Sequence, residues 1–159
     1  MRLYTIDLRT GEPRSAHETL GGVKLLARVV DKARAVICGT LGPYRFFDCP
    51  LDRVFFEAVS ASGNELLDVL RQTYSSRLAY NAIALADLRE AVACEPEISD
   101  DYFLEYAEAS DADNAAVTWL LSQRRIPSAV IAAINAAVDD LPPEAFIDWV
   151  ADHGKSSRS

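Results

Sequence analysis

The chain has 159 residues, 50% hydrophobic and 25% charged, a balance that suits a soluble globular domain with its own core. Sixteen Lys and Arg against 24 Asp and Glu leave a net charge of −8, which opposes general binding to nucleic acid or to an anionic membrane surface. The charge is uneven: nine basic and seven acidic side chains fall in residues 1–58, seven basic and seventeen acidic in residues 59–159.

The opening residues alternate apolar with polar and lack the continuous apolar stretch of a secretory signal. The longest strongly apolar stretch, Ser128–Val138, falls short of the ~20 residues a membrane span needs. Cys38, Cys49 and Cys94 are odd in number and show no CxxC spacing, which predicts reduced thiols and a cytoplasmic setting. Cys38 and Cys49 flank one turn-rich loop, so a redox pair is the alternative to inert thiols.

Leu3–Leu8 reads as a short extended segment. Ser15-Ala16-His17-Glu18 has the capping-box pattern and predicts a helical turn. From about Gly22 to Ile37, Val23, Leu26, Val30, Ala33 and Ile37 recur at helical spacing, and Gly39 is placed to stop the helix. The loop Gly39–Pro50 follows, and Pro50 suits the first turn of a helix over Leu51–Ser60. Ser62–Glu65 is a second capping box ahead of an apolar run. Leu78, Ala82, Leu85, Leu88 and Val92 make a further helical stripe. Ser99 is a cap for the next helix, and Asp111 or Asp113 for another. Ser128 caps a helix over Ser128–Val138, apolar nearly all round and therefore expected at the centre of the fold. Pro142-Pro143-Glu144 opens a last helix that Gly154 ends. The pattern predicts an all-α fold: a single compact domain of about seven or eight short helices over residues 1–154, with a solvated tail at 155–159.

Four stretches of the N-terminal third, Pro13–Gly22, Leu26–Ala35, Gly39–Tyr44 and Cys49–Asp52, resemble in order the bacterial family known as domain of unknown function 5069. The stretch around Trp119 is similar to a Trp-bearing helix of that family. The resemblance implies a fold neighbourhood and carries no activity, cofactor or catalytic residue.

Chemistry is best sought on the polar side of the first long helix. At ~100° per residue, Lys24, Arg28, Asp31 and Lys32 share about a third of its circumference, with Arg34 to one side. Gly21 and Gly22 stand at its expected start and Arg14 just upstream, a set of glycines, cations and helix N–H groups that suits a phosphate or carboxylate. Two plainer outcomes compete. Asp31 pairs along the helix with Arg28 and Arg34, or the basic face docks on the acidic C-terminal helices of the same chain.

Gly39–Gly42 lacks the Gly-Lys-Ser/Thr ending of a phosphate-binding loop, His17-Glu18 does not begin a zinc-binding helix, and no Gly-x-Ser-x-Gly elbow occurs. Neither a metal nor a cofactor is expected. Tyr102, Phe103, Tyr106, Trp119 and Trp149 sit at core-like positions. Asp111, Asp113, Asp139, Asp140 and Glu144 crowd helix ends; Asp139 and Asp140, at the C-terminal end of their helix, oppose its dipole and call for a cationic neighbour. These features favour a binding or interaction module, its partner an anionic small molecule or an acidic protein surface, with oligomeric state left open. The alternative is a small enzyme acting on an anionic metabolite with Arg14, His17, Arg28, Asp31 and Tyr44 at the helix–loop junction.

Overall fold

The computed structural model describes residues 6–73 and 100–141, with side chains at 100–108 left aside. The expected helices over Leu78–Val92 and after Pro142, the cap Ser99, Cys94, Trp149, Glu144 and His153 lie outside the described residues. So do the side chains of Tyr102, Phe103 and Tyr106.

A small antiparallel hairpin is the first regular element among the described residues: β1 (Thr19–Leu20) pairs with β2 (Val23–Lys24), Leu20 opposite Val23. It corrects the all-α expectation, because Gly21 (φ 61°) and Gly22 (φ 81°) both take left-handed backbone and close a two-residue turn. The helical spacing of Val23 with Leu26 was therefore misleading, since Val23 is buried from a strand. Ser15 likewise caps a turn and no helix: its hydroxyl accepts from the His17 N–H, and its carbonyl from the Glu18 N–H.

Helix α1 (Leu26–Cys38) starts four residues later than expected and stops at Gly39, as expected, in left-handed conformation (φ 73°). Leu25 (φ 71°) makes the sharp entry, its N–H donating to the Ala16 carbonyl, and no side chain caps the helix. Helix α2 (Pro50–Val59) has Pro50 in its first turn and the Cys49 sulfur as its cap, accepting from the Asp52 N–H at 3.2 Å. The Ser62–Glu65 capping box forms in both directions and opens α3, over 63–73.

Helix α4 (Asp100–Val117) runs without a break through Asp111 and Asp113, so the cap expected there does not exist. It continues into a π-helical turn, Thr118–Gln123, followed by α5 (Ser128–Asp139). The chain is mostly helical, with fewer and longer helices among the described residues than the seven or eight short ones expected.

The centre of the fold is α1, and α5 is not. All ten residues Leu26–Ala35 are buried, whereas in α5 only Ile134 and Val138 are. Alanine explains the second result: α5 turns Ala129, Ala132, Ala133 and Ala136 to solvent, where alanine favours helix without needing burial. The core gathers Val23, Leu26, Val30 and Ala33 with Phe55 and Phe56 of α2, Leu66 and Leu70 of α3, Ala116, Trp119 and Leu120. No helix among the described residues is long and apolar enough to cross a membrane.

Candidate functional site

Because α1 is buried all round, its charged side chains are buried with it: Arg28, Asp31, Lys32 and Arg34 are each 7% exposed or less. Charges in such a place need partners. Structure supplies them unequally.

Lys32 is met from α2. Its Nζ lies 3.2 and 3.3 Å from the two Asp52 carboxylate oxygens and 3.4 Å from Cys49 Sγ, with Lys32 and Asp52 both fully enclosed. Asp52 Oδ2 also accepts the Phe47 N–H at 3.0 Å, so the pair ties α1, the start of α2 and the loop before it together. Burial, and next the nearby Asp52 charge, push the Cys49 thiol above its ordinary pKa despite Lys32. A raised, enclosed thiol is a poor nucleophile. Neither Cys38 nor Cys49 is in a disulfide.

Arg14 reaches in from the loop before the hairpin. It holds Asp31 through Nε and Nη2 at 3.0 Å each and Asp113 of α4 through Nη1 and Nη2 at 3.0 and 2.7 Å. Burial works against its charge, but the hydrogen bonds to Asp113 and Asp31 and their charges outweigh it and raise its pKa. Arg34 Nη1 stands 3.5 Å from Asp31. Lys24 pairs with Asp139 at the end of α5, and its backbone N–H donates to Asn135 Oδ1, while Asn135 Nδ2 donates to the Gly22 carbonyl. Asp139 thus has the cationic neighbour its position calls for, and Lys24 holds its carboxyl below the usual range. Gly21 and Gly22 serve the hairpin turn and not the first turn of α1. Gly21 lies under α4, where a Cβ would stand 3.1 Å from both Val117 methyls.

Arg28 is different. It sits in the first turn of α1, 7% exposed, with no carboxylate within ion-pair distance among the described residues. Its Nε has no hydrogen-bond partner there, and its one polar contact is Nη1 donating to the Arg14 carbonyl at a long 3.5 Å. The guanidinium carbon lies 5.9 Å from the centre of the Tyr44 ring, in the loop after α1. Burial raises the Tyr44 hydroxyl pKa, the Glu12 charge adds to this, and Arg28 opposes it. Arg14, Arg28, Asp31 and Tyr44 therefore lie together near the start of α1. His17 does not: it is exposed and stands 3.8 Å from Asp139.

Sequence reasoning missed Asp52 and Cys49 as partners of Lys32, and Asp113 as the partner of Arg14. A polar residue three places after Cys49, in a first helical turn, was the signal for Asp52. Nothing local marks Asp113, which is brought in by packing across 99 positions of sequence. No group of three or more potential metal ligands occurs among the described residues.

The fold and site thus define a mostly helical domain organised on one buried, charged helix. Residues 10–78 match the family model described as Domain of unknown function (DUF5069), so the likeness of the N-terminal motifs to that family holds for this segment and extends past Asp52. Trp119, Asp113 and Asp139 lie beyond it. No curated protein and no solved structure matches the chain.

Proposed function

We propose that the protein is a binding module for a small anion, a phosphate or carboxylate, held at the first turn of α1 by Arg28 beside Tyr44. The observation that carries this reading is a nearly buried guanidinium with neither a counter-charge nor an Nε partner among the described residues, on a chain of net charge −8 that supplies acids to Arg14, Lys24 and Lys32. Leaving a charge so placed costs stability that a bound anion would restore. The uncapped N-terminus of α1 adds free N–H groups and the favourable end of the helix dipole.

The site is smaller than the sequence suggests. Lys24 and Lys32 spend their charge on Asp139 and Asp52, and Arg14 on Asp31 and Asp113, so these residues shape the site while Arg28 contacts the ligand. The docking of the basic segment on α4 and α5 occupies the surface an acidic protein partner would need, which favours the small anion.

Phosphate or sulfate is expected to raise the melting temperature more than chloride of equal ionic strength, by mass action on the native state. Arg28→Gln, which keeps the side-chain bulk, should lose that excess, with binding weaker by ~1.5–3 kcal/mol. Equal stabilisation of both proteins would refute the site.

A further inference from the structure

We propose that the groove between α3 and the end of α4, separate from Arg28, binds a small neutral polyhydroxylated molecule, a sugar or polyol. The groove encloses about 500 Å³, within the range of ~300–1,000 Å³ that small-molecule sites occupy. One wall is a helical stripe, Asp111, Asn114 and Ala115 of α4 with Thr118 at the start of the π-turn, and across from it stand Val69, Gln72 and Thr73 of α3. Two packed helices ordinarily meet through apolar side chains, as α4 does elsewhere with Ala112 and Ala116. Here the facing side chains include hydroxyls and amides beside Val69 and Ala115, with a gap between the helices.

The π-turn is an independent pointer. In a regular α-helix Thr118 and Gln123, five positions apart, would lie roughly 140° from each other at ~100° per residue. The wider turn, closed by the Arg124 N–H on the Trp119 carbonyl, brings both to the groove. Such turns are rare and concentrate at functional sites.

The lining selects the ligand. The carboxamides of Gln72, Asn114 and Gln123 make no hydrogen bond within the protein among the described residues, and each offers a donor and an acceptor side by side, the pattern of vicinal hydroxyls. Thr73 donates its hydroxyl proton to the Val69 carbonyl at 2.9 Å, which leaves its oxygen an acceptor. Val69 and Ala115 give an apolar floor for the C–H face of a ring. No basic side chain lines the groove among the described residues, so a phosphorylated or carboxylated ligand finds no counter-charge in that lining.

The test is NMR titration of the full chain with D-glucose and with myo-inositol, read at the methyl groups of Val69 and Ala115. Saturable shifts are expected with at least one probe, unchanged in Arg28→Gln. They should weaken about tenfold or more in Asn114→Leu and in Gln123→Leu, both exposed positions that leave the fold intact. Glucose 6-phosphate should bind less well than glucose. Absence of saturable shifts with both probes, unweakened binding in the two variants, or tighter binding of glucose 6-phosphate or of spermidine would each overturn the proposal.

Discussion

Replacing Lys32 by Met removes a charge from a fully enclosed ion pair and leaves Asp52 facing apolar atoms, the Cys49 sulfur and the Phe47 N–H. Met fills most of the vacated space, so the loss is electrostatic and no large cavity forms. Breaking one partner of a buried ion pair costs ~3–5 kcal/mol. With a urea slope of ~2 kcal/mol/M, the midpoint should fall by about 1.5–2.5 M. The double variant Lys32→Met, Asp52→Leu removes both charges together. It should recover much of the loss, because two neutral groups no longer require each other.

Recovery in the double variant separates this from a packing defect, since filling space alone would not make the two losses cancel. A midpoint within the error of the wild type, or a double variant as unstable as the sum of the singles, would refute the assignment of Lys32 and Asp52 as a mutually dependent pair.

Gly42→Ala should cost about 2 kcal/mol or more, measured by urea unfolding, since φ is +64° and a Cβ would stand 2.7 Å from the Arg9 Cα and the Leu8 carbonyl oxygen. Ser62→Ala removes one half of the box at α3 and should cost ~1 kcal/mol by thermal melting. Asp139 has a lowered folded pKa, so its contribution is present above the ordinary carboxylate value of ~3.9 and lost as pH falls through the folded one. Asp139→Asn should therefore melt lower than the wild type at pH 7 and converge with it in acid, in parallel pH scans.

How far the sequence spoke depends on where each partner came from. The stops and starts with local chemistry were legible: Gly39 ends α1, Pro50 begins α2, and Ser62 with Glu65 opens α3. The need for a cation beside Asp139 was legible as well. The hairpin was not, because Val23 fits the α1 stripe by spacing, and only the paired left-handed glycines reveal the turn. The burial of α1 was not legible either. A helix with Arg28, Asp31, Lys32 and Arg34 on one side reads as half-solvated until α2 brings Asp52 to Lys32 and Arg14, held by Asp113 of α4, reaches Asp31. Asp52 lies 20 positions from Lys32 and Asp113 lies 99 from Arg14, and their approach is a property of the packing. For α5 the error ran the other way, since alanine counts as apolar in any pattern yet gains little by burial.

The central claim is that Arg28 is the residue that meets an anion. Its side-chain Nε–H gives a separate ¹⁵N–¹H signal, which can be followed in a phosphate titration at constant ionic strength alongside the backbone amides of Leu26, Ala27 and Arg28. A saturable shift of the Arg28 Nε–H and these amides with one common dissociation constant, with the Arg14 and Arg34 side chains unmoved, is the expected result. An Arg28 signal that stays fixed, or phosphate shifts scattered over half-buried Arg45 and exposed Arg53 and Arg71 without saturation, would contradict the site.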